Sequence, residues 1–232
     1  MLKSPKIKLK IDLKQDIENA KWFVKNGQFV DWFLPRELYF ILEEKYSTKQ
    51  KNQFITDYTN QTFEAKKGQI KAGVEKSKFR WQKTEKSFFN FANDLFQDHK
   101  WPAGKYIGYA SIFKMFPRDI KNKTFFFPYS DSRLDPIQTI AHELLHFIFF
   151  DYVKKKYKLG QHSQLKNKAK NYIWQVSEAF NTTIENSAEF KKIFHVRKNC
   201  KPYPECRKIY TKMNKQWQQN QDVEKLLDYW IG

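Results

Sequence analysis

Apolar and polar positions alternate from residue 6 to 13. Ile7, Leu9, Ile11 and Leu13 fall on one face and lysines largely fill the other, which is the two-residue period of a half-buried strand. The lysines also suit an edge strand, because charge discourages pairing with a further strand. The apolar period then lengthens to that of a helix. Helical patterns are expected over residues 16–25, ending near Gly27, from Pro35 through a Leu-, Tyr- and Phe-rich segment to about Tyr46, and over roughly 48–61. From about 64 to 87 apolar positions thin out, lysines are frequent, and Gly68 and Gly73 interrupt. This stretch reads as an exposed, mostly helical arm with a solvated face, running into the apolar stripe of Phe88, Phe89, Ala92, Leu95 and Phe96.

Strand formers dominate next, over 106–116 and 123–129. The link between them, from Pro117 to Asn122, is rich in turn residues and predicts an antiparallel hairpin. A long apolar run follows. Asp135 suits its N-cap, Pro136 its first helical position and Gln138 a capping-box-like pattern, so a helix is expected to begin about two turns before His142. Phe147, Ile148, Phe149 and Phe150 keep that helix apolar almost all round, as a central buried helix requires. Lys154, Lys155, Lys156 and Lys158 then lead to a stop at Gly160. A second buried helix is outlined by Tyr172 or Ile173, Val176, Phe180 and Ile184, and further helices are expected at about 188–195, 204–219 and 221–230. The pattern is α+β. A mainly helical part with one strand covers 1–100, and 101–232 carries a small antiparallel or mixed sheet and a helical C-terminal part, expected to form one compact domain.

Composition narrows the class. With 232 residues, 41% of them hydrophobic, and 22 Phe, the chain can build a full core, which argues against disorder. No segment approaches the roughly 20 apolar residues of a membrane span. The first eight residues alternate charge with apolar side chains and offer no apolar signal-peptide core, so a cytoplasmic location is expected. Cys200 and Cys206 are too few for a disulfide framework and read as ordinary thiols, with one local disulfide as the alternative. The net charge of +18 would suit nucleic acid, an acidic substrate or an anionic surface. Its makeup of 37 Lys and 6 Arg, spread along the chain, is not that of a dedicated nucleic-acid reader, so nucleic acid stays a secondary expectation beside a peptide or protein substrate.

The most specific chemistry lies in Ala141-His142-Glu143-Leu144-Leu145-His146, an HExxH sequence inside the apolar helix. Histidines four apart project from one helical face, so both imidazoles can bind one Zn²⁺ while Glu143 serves as base toward its water. A catalytic zinc needs a third protein ligand and one open position. Phe149 and Tyr152 stand where a metzincin would have its Gly and third His, which leaves a carboxylate or a distant His. Glu178, on the second buried helix, is the leading carboxylate, with Glu185 and Glu189 as alternatives and His162 as the candidate histidine.

HELLH followed by Ser177-Glu178-Ala179-Phe180-Asn181-Thr182 resembles the gluzincin metallopeptidases, whose second motif is a helix of the form NExxSD. The resemblance covers roughly 105–190. It implies a zincin-like fold with the sheet packed on the HExxH helix, His142, His146 and Glu178 as zinc ligands, Glu143 as general base, and hydrolysis of peptide bonds. It also implies an edge strand for extended substrate, for which Thr124 to Phe127 is a candidate with core packing as the alternative. An oxyanion donor would lie beyond the third ligand, where His195, Tyr203 and Tyr210 are available. Thr182 departs from the pattern, standing where the family's Asp orients a ligand histidine. Two other readings stay open. With His162 as third ligand the chain would be similar to SprT-like proteases that act on DNA-bound proteins, and without catalysis it would be a zinc- or nucleic-acid-binding protein.

Overall fold

Residues 4–27, 30–97, 99–131, 134–158 and 168–232 are described in the computed structural model of the chain. They belong to two compact units. A sheet unit draws on Lys6–Trp81 and Lys105–Ile140, and a helical unit on Gln82–Gly104 and Ala141–Gly232. The fold is mixed α+β and mostly helical.

The sheet unit opens with β1 (Ile7–Ile11), followed by α1 (Leu13–Asn26). The helix starts three residues earlier than expected because Asp12 caps it, accepting the backbone N–H of Gln15, and it ends at Gly27 in the left-handed region at φ 61°. A short helix α2 (Val30–Phe33) precedes a 3₁₀ helix over Arg36–Leu42. There the buried residues are Leu38 and Ile41, three apart, the period at which a 3₁₀ turn stacks one face. These segments enclose a core of Ala20, Phe23, Leu34, Leu38, Ile41, Ile55, Phe113 and Met115.

The helix α3 (Thr48–Leu95) corrects the expectation of separate segments. Its 48 residues run unbroken for about 72 Å, through both Gly68 and Gly73. The stretch rich in Glu, Lys, Gln and Ala carries enough helix propensity to absorb two glycines. Residues 64–69 are exposed, as an arm would be, but Ile70, Val74, Ser77 and Trp81 then form a buried stripe. Gly73 belongs to that stripe for a reason of space, since a Cβ there would lie 2.0 Å from the carbonyl oxygen of Tyr129.

The sheet has the order β1-β2-β4-β3, with β2 at Tyr106–Ser111, β3 at Arg118–Asp119 and β4 at Thr124–Pro128. It is mixed. β1 is an edge strand, parallel to β2, and β2 is parallel to β4. The expected hairpin between β2 and β4 is therefore overturned, and the reversal joins the two-residue β3 to β4. Asp119 accepts both the backbone and side-chain N–H of Asn122, and Lys123 takes φ 55°, so the turn chemistry serves this tighter link. β4 is paired on both sides, and Phe125, Phe126 and Phe127 are buried. That is the core alternative, not an open edge.

The buried carboxylate of Asp16 ties α1 to the end of β2. It accepts the Ser111 hydroxyl at 2.5 Å and the Ile112 N–H at 2.9 Å, and burial pushes its pKa up to about 7 against these two favourable bonds.

α4 (Pro136–Lys156) begins as expected: Asp135 accepts the N–H of Ile137 at 2.8 Å, and Pro136 is the first helical residue. Its remainder lies in the helical unit with α5 (Lys168–Glu185), α6 (Ala188–Phe194), α7 (Arg207–Gln219) and α8 (Val223–Ile231). A 3₁₀ turn over Pro204–Cys206 leads into α7. Phe88, Phe96, Phe147, Phe149, Phe180 and Phe190 are fully buried in this unit, each worth about 1.5–3 kcal/mol of transfer free energy. Among the described residues no helix is long and apolar enough to cross a membrane.

Candidate metal centre

The site is built from two buried helices. Residues 176–185 of α5 are buried without a break, so this helix must meet neighbours on every side. Phe180 joins it to α4 through the Phe149 ring, with centroids 5.2 Å apart, and to Phe96 at 5.7 Å. The side-chain amide of Asn181 donates to the backbone oxygen of His142 at 2.9 Å, fixing the HExxH turn against α5.

Across this contact His142, His146 and Glu178 converge, with one donor atom from each lying within 4.8 Å of the others. The Nε2 atoms of the histidines are 3.1 Å apart, Nε2 of His142 is 3.4 Å from Oε2 of Glu178, and Nε2 of His146 is 3.4 Å from Oε1 of the same carboxylate. Ligands held about 2.05 Å from an ion at tetrahedral angles stand about 3.3 Å apart, and each of these contacts is close to that spacing, with the two carboxylate oxygens of Glu178 each facing one imidazole. The donors also fit. Glu143, Glu178 and Glu185 are at most 7% exposed, and three clustered carboxylates in so dry a place favour a cation among them. Oδ1 of Asn181, fully buried, finds no donor among the described residues, a further polar atom left over beside His142. The cluster can hold a metal ion.

Glu143 stands beside this cluster, its Oε1 4.0 Å from Nε2 of His142. On the far side of the His142 ring Nδ1 is 2.7 Å from Oε1 of Glu185. An ionised carboxylate can only accept there, so Nδ1 carries a hydrogen, and Nε2 faces the cluster, where it offers a lone pair once it gives up its proton. Burial alone would lower the pKa of His142, but Glu185, Glu178 and Glu143 outweigh it and raise the imidazole well above its ordinary value.

The carboxylate that meets Nδ1 of His142 is thus Glu185, not a residue at position 182. Thr182 instead donates its hydroxyl to the backbone oxygen of Glu178, a bond within the helix. Glu185 follows Glu178 by seven residues, two turns, which returns to the same face. That spacing was visible, yet sequence distance does not say which ring nitrogen a carboxylate will meet.

Of the other candidates, Glu189 is exposed in the first turn of α6, apart from the cluster, and His162 lies outside the described residues. His195 is exposed and caps α6 in the left-handed region at φ 54°. Tyr203 lies against Trp174, ring centroids 5.9 Å apart, one turn of α5 before Glu178. The Tyr210 hydroxyl accepts from Asn186 at 3.0 Å. Both cysteines are free thiols and both lie near site carboxylates. Burial pushes each up to about 12, assisted by Glu185 beside Cys200 and by Glu178 near Cys206, so neither is primed as a nucleophile. Set against protein-family models, curated proteins and solved structures, the chain finds no match in any of them.

Proposed function

We propose that this chain is a zinc-dependent metallopeptidase with a gluzincin-like, zincin-type active site. The observation that carries the reading is the convergence of His142, His146 and Glu178, one donor atom from each within 4.8 Å of the others, with Glu143 beside them. Two imidazoles and one carboxylate are the ligand set of the gluzincin-type HExxH peptidases, and a borderline-soft N₂O site of this kind favours zinc over calcium or magnesium. Bound there, zinc supplies Lewis acidity toward water and toward the scissile carbonyl.

The remaining work falls to the chain's own residues. Glu143 takes the proton of the attacking water and passes it to the leaving amine, a role that suits a carboxylate held beside the ligands without being one of them. Glu185 keeps His142 in the tautomer with Nε2 available. Asn181 holds the HExxH turn at its backbone. Of the three weaker candidates for an oxyanion donor, Tyr203, packed on Trp174 one turn before Glu178, is the best, since His195 is used as a helix cap and the Tyr210 hydroxyl accepts from Asn186.

The test separates binding from chemistry. Wild-type protein purified without chelator should carry about one zinc per chain. Glu143→Gln should keep that zinc and lose at least about a hundredfold in hydrolysis of an unstructured protein substrate. A wild-type chain that neither holds nor takes up zinc, or a Glu143→Gln variant with unchanged turnover, overturns the reading.

A further inference from the structure

The segment that follows α6 is strapped to the ligand helix. Cys200 donates its backbone N–H to Oδ1 of Asn186 at 2.8 Å and accepts the Asn186 amide at 3.0 Å. The same amide reaches the Tyr210 hydroxyl on α7. Farther along, Tyr203 packs on Trp174, and Cys206 is buried near Glu178. These fixed points place the loop beside α5 from Trp174 to Asn186, a stretch of about 18 Å that flanks both Glu178 and Glu185.

This loop and the first turn of α7 carry a concentrated charge. Between residues 197 and 208 stand Arg197, Lys198, Lys201, Arg207 and Lys208 against a single carboxylate, Glu205. All five cations are exposed. Elsewhere in the unit Lys155 and Lys156 are neutralised by Asp151, Glu224 and Asp228. None of the five loop cations forms an ion pair among the described residues. Two of the chain's six arginines fall in these twelve residues, so here the charge is not simply the dispersed lysine background.

We propose that this loop is a recognition surface for acidic polypeptide segments, which it presents to the adjoining metal centre. The inference rests on the metallopeptidase reading and names its substrate class. Length favours a peptide. At about 3.3 Å per residue, some five or six extended residues span the 18 Å of helix beside which the loop runs. Carboxylates on such a segment meet unneutralised cations at a partly solvated rim, where charge selects partners and speeds encounter. A nucleic acid would draw on a longer track of phosphate contacts.

The experiment measures binding without turnover, using the full-length Glu143→Gln protein loaded with zinc and a fluorescent ten-residue Glu-rich peptide. A Gln-for-Glu peptide and a single-stranded oligonucleotide of equal charge are the comparisons. The acidic peptide should bind at least about tenfold more tightly than the neutral one and weaken as salt rises. Combined Arg197→Glu, Lys198→Glu and Lys201→Glu should weaken it about tenfold or more. Lys49→Glu, Lys66→Glu and Lys71→Glu on α3 remove the same net charge elsewhere and should change affinity less than about twofold. Arg207→Ser with Lys208→Ser, on the exposed first turn of α7, gives a milder second variant should the first not fold. Equal binding of the neutral peptide, equal loss in the α3 variant, or tighter binding of the oligonucleotide through the same residues overturns the proposal. A chain that binds acidic peptide through this loop yet holds no zinc refutes the peptidase and leaves the acidic-peptide surface standing.

Discussion

Glu185 offers the sharpest check on the geometry of the metal centre, because two roles for it predict different numbers. Its Oε1 is 2.7 Å from Nδ1 of His142, while Nε2 of the same ring faces Glu178 and His146. One imidazole cannot give both nitrogens to one ion, so on the proposed reading Glu185 orients a ligand and is not itself the third. Its side chain is only 9% exposed, so water does little to replace it. Glu185→Ala leaves a buried N–H without its acceptor, at about 1–3 kcal/mol. Loss of such an orienting carboxylate typically weakens metal binding about 10- to 100-fold, or about 1.4–2.7 kcal/mol. Glu185→Gln keeps an acceptor oxygen and loses the charge, and it should sit near the tenfold end. Zinc affinity measured by competition with a chromophoric chelator gives both values directly. An affinity within about twofold of wild type in Glu185→Ala would refute the orienting role, and complete loss of zinc would make Glu185 the ligand instead.

Glu178→Ala should empty the site at zinc concentrations that saturate the wild type, whereas His162→Ala should keep its metal; the reverse outcome, read by metal analysis of dialysed protein, favours the alternative third ligand. Asp16 makes the sheet unit sensitive to pH. Its folded pKa of about 7 lies above the ordinary 3.8, so the folded state binds the extra proton, and stability from this group is lost as pH rises through 7. Between about pH 6 and pH 8 the loss should be about 1.4 kcal/mol in denaturant midpoints, and Asp16→Asn should flatten that dependence; an equally steep profile in the variant removes Asp16 as its source. Gly73→Ala should destabilise by roughly 1–3 kcal/mol or more, since its Cβ would overlap the Tyr129 carbonyl, whereas Gly68→Ala, where a Cβ meets nothing within 4 Å, should be neutral or stabilising.

The parts of this molecule that were legible in sequence are those where one short stretch contains the whole cause. The HExxH spacing places His142 and His146 on one face whatever surrounds them, and Asp135-Pro136 starts α4 with its own side chain. Strand direction has no such local signature. The run of strand formers over 106–111 and 124–128 is the same for parallel and antiparallel partners, and the turn residues at 119–123 are equally at home in the short β3–β4 link that uses them. Likewise Gly73 looks like an interruption of α3 until Tyr129, 56 positions away, is placed against it.

The site shows the same division at finer grain. Helical spacing nominates both Glu178 and Glu185, seven apart on one face of α5, and leaves open which of them serves as a ligand. The choice is made by where α4 lies against α5, held by Asn181 at the His142 carbonyl and by the packing of Phe149 on Phe180. That contact puts Glu178 across from the two Nε2 atoms and Glu185 behind Nδ1. The departure at Thr182 then has a physical reading. On the proposed reading, the carboxylate expected one turn after Glu178 is replaced by one two turns after it, where the same face of the helix returns and Glu185 meets Nδ1 of His142. Moving that carboxylate should therefore not be tolerated in reverse. In a Glu185→Ala background, Thr182→Asp should fail to recover zinc affinity, because Glu185, not position 182, is what reaches Nδ1. Recovery to within about twofold of wild type would show that either turn of α5 can reach His142, and that the pairing seen here is one of two.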